Sequence, residues 1–255
     1  MQFEREVELA RQLAQEAGAL ASDYQRQGVQ AESKADESPV TAADRACEKL
    51  IVEGIQRVFP GDGILGEEGA NREPANGRRW IVDPIDGTRD FVRGIPLWAV
   101  LIGLEQDGEV VTAAAHCPRQ NLLLWAAKGE GAWAGEQQIS VRDTSDPGQA
   151  VVCFNGFQKA GIDRVAAKTV PWLRRFWAVR SLGGAVDAMM LAQGLADVWI
   201  EPSAAPWDLA ALKLIIEEAG GRFGSFDGRN TIYGGDAWAC VPGLELHVRE
   251  FVGCG

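Results

Sequence analysis

The sequence predicts an α+β protein in two coupled parts: a largely antiparallel sheet layered with helices in its N-terminal half, and a smaller α/β arrangement in its C-terminal half. Three observations carry this. Two stretches of helical periodicity open the chain. Short apolar runs separated by turn residues follow as far as Ala126, and from Ala150 strands and helices alternate.

The elements can be justified in order. Residues Met1 to Gly28 are rich in Glu, Gln, Ala and Leu, and Val7, Leu9, Ala10, Leu13 and Ala17 fall on one helical face, so an amphipathic helix ending at Gly28 is expected. A polar loop from Gln30 to Pro39 leads to Thr41, which is placed to cap a second helix running to about Phe59, with Asp44 in its first turn and Pro60-Gly61 as its stop. Strands are expected over Gly63 to Gly66, Trp80 to Val82, Trp98 to Leu104, Val110 to His116 and Leu122 to Ala126. Gln106-Asp107-Gly108 is a tight hairpin turn between two of them, which makes the sheet mostly antiparallel. The C-terminal half reads as a strand over Ala150 to Phe154, a helix near Asp163 to Thr169, a strand near Trp177 to Val179 and a helix from Gly184 to Ala192. A strand over Asp197 to Ile200, a helix from Trp207 to Ala219 and short strands near Arg222 and Ala239 complete it. Asp146-Pro147-Gly148 marks the boundary, giving subdomains over 1–145 and 146–255.

Composition narrows the function. A chain of 255 residues, 46% of them hydrophobic, has enough apolar material for a large core without disulfides. The five cysteines are scattered and form no CxxC pair, which argues against a zinc site or a disulfide framework and fits a reducing cytoplasm. No charged leader precedes an apolar stretch and no apolar run reaches a membrane-spanning length, so neither export nor membrane insertion is expected. The net charge of −11 opposes direct nucleic-acid binding, although bound cations would still allow a small phosphate ester. His116 and His247 stand in no recognisable nucleophile setting, so chemistry is sought among the carboxylates.

The most informative stretch is Trp80-Ile81-Val82-Asp83-Pro84-Ile85-Asp86-Gly87-Thr88-Arg89-Asp90-Phe91. An apolar strand delivers Asp83, Pro84 is expected to end that strand, and Asp86 follows three residues later. Two carboxylates and the intervening Ile85 carbonyl form an oxygen donor set of the kind hard cations require. Gly87 and Thr88 offer backbone N–H groups to a phosphate. Asp-Pro and Asp-Gly are also common turn pairs, so this stretch alone fits a solvated loop about equally well. Two further features favour the metal reading: a short strand ends in Glu67 and Glu68, and Asp208 enters an apolar helix start in Pro206-Trp207-Asp208-Leu209-Ala210-Ala211.

Taken together, Asp83 to Thr88 and Trp207 to Ala211 resemble the two signatures of the inositol monophosphatase family. Gly66-Glu67-Glu68-Gly69 and Val40-Thr41-Ala42-Ala43-Asp44 match further elements, and the likeness runs in order from about Lys34 to Ala219. The resemblance implies a layered αβαβα sandwich of the inositol monophosphatase and fructose bisphosphatase type, a homodimer, and a phosphomonoesterase using two to three Mg²⁺ per subunit. Glu67, Asp83 and the Ile85 carbonyl would bind a first ion, and Asp83, Asp86 and Asp208 a second, with Glu67 helping to hold a third. Thr88, supported by Asp44, would position the attacking water together with Glu67.

For the leaving group, the resemblance points to Glu201, seven residues before Asp208, and to Gly183-Gly184-Ala185 at a helix start. An acid at Glu201 could accept hydrogen bonds from polyol hydroxyls or pair with an amine or imidazolium. The segments Phe91 to Trp98 and Lys34 to Thr41, with Glu201-Pro202, resemble the bacterial histidinol-phosphatase branch. They lean the expected substrate toward histidinol phosphate, with inositol monophosphates as the alternative and a bisphosphate nucleotide or a regulatory binding role behind them.

Overall fold

The apolar stripe at the start of the chain is realised as α1 (Glu4–Gln27), closed at Gly28, whose positive φ of 93° suits glycine and whose N–H donates to the Gln25 carbonyl. The computed structural model describes residues 2–28, 31–33 and 39–254, with backbone only at residues 31, 33, 39 and 40. The stretch Lys34 to Ser38 and the loop residue Gln30 lie outside the described residues. Strands β1 (Ala31–Ser33) and β2 (Pro39–Thr41) pair antiparallel. They deliver Thr41 as N-cap of α2 (Ala42–Val58), where the Thr41 hydroxyl accepts from the Ala43 and Asp44 N–H groups and the Asp44 carboxylate accepts from the Thr41 N–H at 2.8 Å.

The first sheet comprises β3 (Gly63–Gly66), β4 (Asn71–Arg72) and β5 (Arg78–Asp86), then, after helix α3 (Thr88–Arg93), β6 (Ala99–Gln106), β7 (Glu109–Cys117), β8 (Leu122–Ala127), β9 (Ala132–Ala134) and β10 (Gln137–Ile139). Its order is β10-β9-β8-β7-β6-β5-β3-β4, and only β3 and β5 pair in parallel. Asp107 and Gly108 take positive φ at the β6–β7 turn, as the turn sequence required.

The second half contains β11 (Val151–Phe154), α4 (Ala166–Leu173), β12 (Ala178–Arg180), α5 (Gly184–Ala192), β13 (Val198–Glu201), α6 (Pro206–Glu218), β14 (Arg222–Gly224), β15 (Ala237–Cys240) and α7 (Glu245–Val252). Its five strands order as β12-β11-β13-β15-β14, parallel across β12, β11 and β13 and antiparallel at β15.

Alternation along the strands builds the layers. Trp80, Val82, Val100, Ile102 and Leu104 share one core with α1 and α2, whereas Ile81, Ala99 and Leu101 face a second core with α5, α6 and the second sheet. On that second face a Cβ on Gly103 would stand 3.0 Å from the Ala210 Cβ, so the glycine lets α6 lie close against β6. Beyond the second sheet, Phe251 of α7 stacks on Trp172 of α4 at 4.0 Å and meets Phe154 of β11. The result is an αβαβα sandwich. Among the described residues no helix is long and apolar enough to cross a membrane.

Several details depart from the sequence reading. Strands β1 and β2 pair where a polar loop was expected, and strands β4, β9 and β10 and helix α3 were not expected. Strand β5 does not stop at Pro84. Its parallel partner β3 ends opposite Val82, and its register with β6 shifts between Asp83 and Asp86, so the missing proline N–H falls where the ladder is already interrupted. The C-terminal helix α7 was not expected. Its Val248, Phe251 and Val252 are buried, giving it the apolar stripe that anchors it.

Candidate active site

Several element ends meet at one place. Strand β3 ends at Gly66 and releases Glu67, while the adjacent parallel β5 ends with Asp83 and Asp86. Helices α2, α3, α5 and α6 contribute their N-terminal residues Asp44, Thr88, Gly184 with Ala185, and Asp208. Helix N-termini favour negative charge, which suits both the acids and an anionic ligand.

Asp83, Asp86 and Asp208 each present a carboxylate oxygen, and these oxygens lie within 4.8 Å of one another. Each acid is also held by a backbone donor. Asp83 accepts from the Ile85 N–H at 2.9 Å, Asp86 from the Ala185 N–H at 3.0 Å, and Asp208 from the Ala205 N–H at 2.8 Å. These bonds fix one oxygen of each acid and leave capacity on the other.

The electrostatics are those of like charges forced together out of water. Burial, then the neighbouring Glu67, Asp86 and Asp208, push the Asp83 carboxyl well above the usual carboxylate range. Burial and the Asp208 charge push Asp86 up to about 7, although the Ala185 hydrogen bond and Lys159 oppose this. Asp208 is pushed up to about 6 by burial, again with its backbone bond and Lys159 opposing. Such a cluster is incomplete as a protein-only arrangement and fits a hard divalent cation, which prefers carboxylate and carbonyl oxygens.

Beside the acids, the Thr88 hydroxyl lies 3.2 Å from the Ile85 carbonyl and 3.4 Å from Asp44 Oδ1. Asp44 is fully buried; burial raises its carboxyl while the Thr41 hydrogen bonds oppose the rise. Gly87 adopts the left-handed conformation at φ 88°, and a Cβ there would stand 3.0 Å from the Leu97 carbonyl, so glycine is required for the turn into α3.

The Gly183-Gly184-Ala185 segment borders the cluster from the second sheet's side. Asp187 accepts from the Leu182 N–H at 3.1 Å and fixes this helix start. A Cβ on Gly184 would stand 3.3 Å from Glu201 Oε2 and 3.8 Å from Asp86 Oδ1, which places Glu201 across the same pocket from the acids. Glu201 is buried and does not stand alone: it accepts from Asn155 Nδ2 at 2.8 Å and pairs with Lys159 Nζ at 3.3 Å. Lys159 also donates to the Ser203 carbonyl at 2.7 Å.

All the residues expected from the sequence therefore gather here, and four more join them. Glu48 accepts from the Glu68 N–H at 2.8 Å and the Ala70 N–H at 3.0 Å, which shapes the turn carrying Glu67. Its signal was an acid one helical turn after Asp44 on the buried face of α2. Asn155 and Lys159 join through Glu201 with no such signal, whereas Asp90 lies in the same sequence stretch as Asp83 and Asp86, its Oδ2 3.5 Å from where a Cβ on Gly183 would stand. Cys117 is buried and its thiol donates to the Trp98 carbonyl at 3.2 Å, the setting of a small packed side chain, and burial pushes the thiol up to about 12.

Comparison with known proteins agrees with this geometry. The family model described as "Inositol monophosphatase family" matches residues 4–250. The chain is 39% identical to a histidinol-phosphatase of Chlorobaculum parvum, over 91% of this chain and 90% of that one. It is 34% identical to an inositol-1-monophosphatase of Rhizobium meliloti, over 80% and 78% respectively. Among solved structures, the extragenic suppressor protein suhB of Bartonella henselae superposes with a TM-score of 0.91 at 27% identity, covering 97% of this chain and 98% of that chain.

Proposed function

The chain belongs to the inositol monophosphatase family and is a phosphoric monoester hydrolase, and we propose that within this family it hydrolyses histidinol phosphate with two to three Mg²⁺ per subunit. The observation that carries the chemistry is the cluster of Asp83, Asp86 and Asp208, in which Asp83 is buried and the other two are half-buried. The substrate rests on the 39% identity to a histidinol-phosphatase.

In this reading Glu67, Asp83, the Ile85 carbonyl, Asp86 and Asp208 hold the cations. Bound there, Mg²⁺ would supply the positive charge that lowers the cost of ionising water and of spreading charge over the phosphoryl oxygens. The residues of the chain do the positioning. The Gly87 and Thr88 N–H groups at the start of α3 seat the phosphate. The Thr88 hydroxyl, between the Ile85 carbonyl and Asp44, orients the water and passes its proton towards Asp44 or Glu67. Ala185 holds Asp86 in place, and Gly183, Gly184 and Glu201 border the leaving alcohol. No covalent phosphoenzyme is needed. The division at residue 145, the homodimer and a cytoplasmic location complete the proposal.

Phosphate release from histidinol phosphate and from inositol 1-phosphate, with Mg²⁺ and with chelator, tests it. Higher kcat/KM on histidinol phosphate supports the substrate assignment. A preference for inositol 1-phosphate would replace it with the alternative.

A further inference from the structure

We propose that Asp90 is a specificity-determining residue whose carboxylate receives a cationic group on the leaving alcohol. This rests on the site being the phosphomonoesterase site described above. Two acids flank the Gly183-Gly184 turn. On one side, a Cβ on Gly184 would stand 3.3 Å from Glu201 Oε2 and 3.5 Å from Asn155 Nδ2; on the other, a Cβ on Gly183 would stand 3.5 Å from Asp90 Oδ2. The turn is thus a floor with a carboxylate at each edge, kept open because neither position carries a side chain.

The two acids differ in what already satisfies them. Glu201 holds the Lys159 ammonium and the Asn155 amide, so an incoming ammonium would have to displace a cation already in place. Lys159 is itself pinned by the Ser203 carbonyl, and its charge repels a second cation at that edge. Asp90 is partly buried and, among the described residues, its carboxylate takes neither a hydrogen bond nor an ion pair. A desolvated, unpaired carboxylate gains more from a cation than a paired one does. Glu201 and Asn155 are left to serve neutral hydroxyls.

Asp90 is also fixed in position. The Ile95 N–H donates to its carbonyl at 2.9 Å, and α3 closes directly afterwards at Gly94 in the left-handed conformation. It stands two residues beyond Thr88, about 3 Å of helical rise from the proposed phosphate seat. That spacing suits an amine a few bonds from the ester oxygen, the chemistry of an amino-alcohol phosphate.

The test compares Mg²⁺-loaded wild type with Asp90→Asn, Asp90→Ser and Glu201→Gln on histidinol phosphate and on glycerol 2-phosphate, whose leaving alcohol carries no charge. The ratio of kcat/KM between the amine ester and the neutral ester should fall at least tenfold in both Asp90 variants, chiefly through KM for the amine ester. Inhibition by free histidinol should weaken by a similar factor. Glu201→Gln should move the ratio less than the Asp90 variants do. A ratio within threefold of wild type in both Asp90 variants, an equal loss on the two esters, or a larger fall in Glu201→Gln overturns the proposal. If wild type released phosphate from neither ester, the phosphatase reading itself would fail, an outcome distinct from an unchanged ratio.

Discussion

The carboxylate of Asp86 accepts a hydrogen bond from the backbone N–H of Ala185 at 3.0 Å. An acid at the end of β5 is thereby tied to the first turn of α5, so the two halves of the chain are joined within the candidate site. Asp86→Asn keeps an acceptor for that N–H while removing one of the crowded charges. Metal-free Asp86→Asn should therefore melt at or above wild type at pH 8, while its stabilisation by Mg²⁺ shrinks and hydrolysis drops by on the order of 100-fold or more. Thermal melts with and without Mg²⁺ check this, and an undiminished Mg²⁺ shift would contradict it.

The raised carboxyls also set the pH dependence of the metal-free protein. Asp86 titrates at about 7 and Asp208 at about 6 in the folded chain, both above the ordinary 3.8. The folded state therefore holds protons that the unfolded chain has released, and these acids favour the unfolded state progressively as pH rises from about 4 to 7. Their contribution to stability is fullest below the ordinary value and is lost as pH rises through the folded values. Mg²⁺ competes with those protons, so the Tm gain from Mg²⁺ should grow from pH 5 to pH 8. Scanning fluorimetry across that range should show this growth, and a gain independent of pH would speak against the cluster as the binding site.

Thr88 lies beside the acids without being one of them. Thr88→Ala should slow turnover by roughly 10²- to 10³-fold, the scale of a lost proton-handling group, while leaving the Mg²⁺-induced Tm shift close to wild type. Thr88→Ser should recover much of the rate because it restores the hydroxyl facing Ile85 and Asp44. Equal losses in the two variants would mean that the methyl group, and so packing, is what matters.

Glu48 shapes the turn that presents Glu67. Glu48→Ala leaves the N–H groups of Glu68 and Ala70 without their acceptor, at about 1–3 kcal/mol for each one that water does not reach. Tm should fall by several degrees, and activity should fall with it as Glu67 loses its setting. Glu48→Gln, which keeps one acceptor oxygen, should fall between the two, and calorimetry with an activity assay orders the three proteins.

What the sequence made legible was contiguous. Asp83, Asp86, Gly87 and Thr88 sit in one strand-to-helix turn, and Asp208 opens a helix with an unmistakable apolar face, so local chemistry exposed them. The helix from Gly184 to Ala192 was bounded correctly by its glycine start. Lys159 and Asn155 were not legible, because they reach Glu201 across more than 40 residues of chain and only the parallel pairing of β11 with β13 brings them there. The stop expected at Pro84 failed because a missing donor matters only where a partner strand would have used it. Helix α7 spans only Glu245–Val252, too short for its apolar stripe to stand out as periodicity in the sequence.

If one acid cluster both binds Mg²⁺ and drives hydrolysis, a Mg²⁺ titration of phosphate release in wild type and Asp208→Ala shows it most directly. The predicted result is a Mg²⁺ requirement at least tenfold higher in the variant together with a rate lowered by on the order of 100-fold. Full activity of Asp208→Ala at the wild-type Mg²⁺ concentration would contradict it.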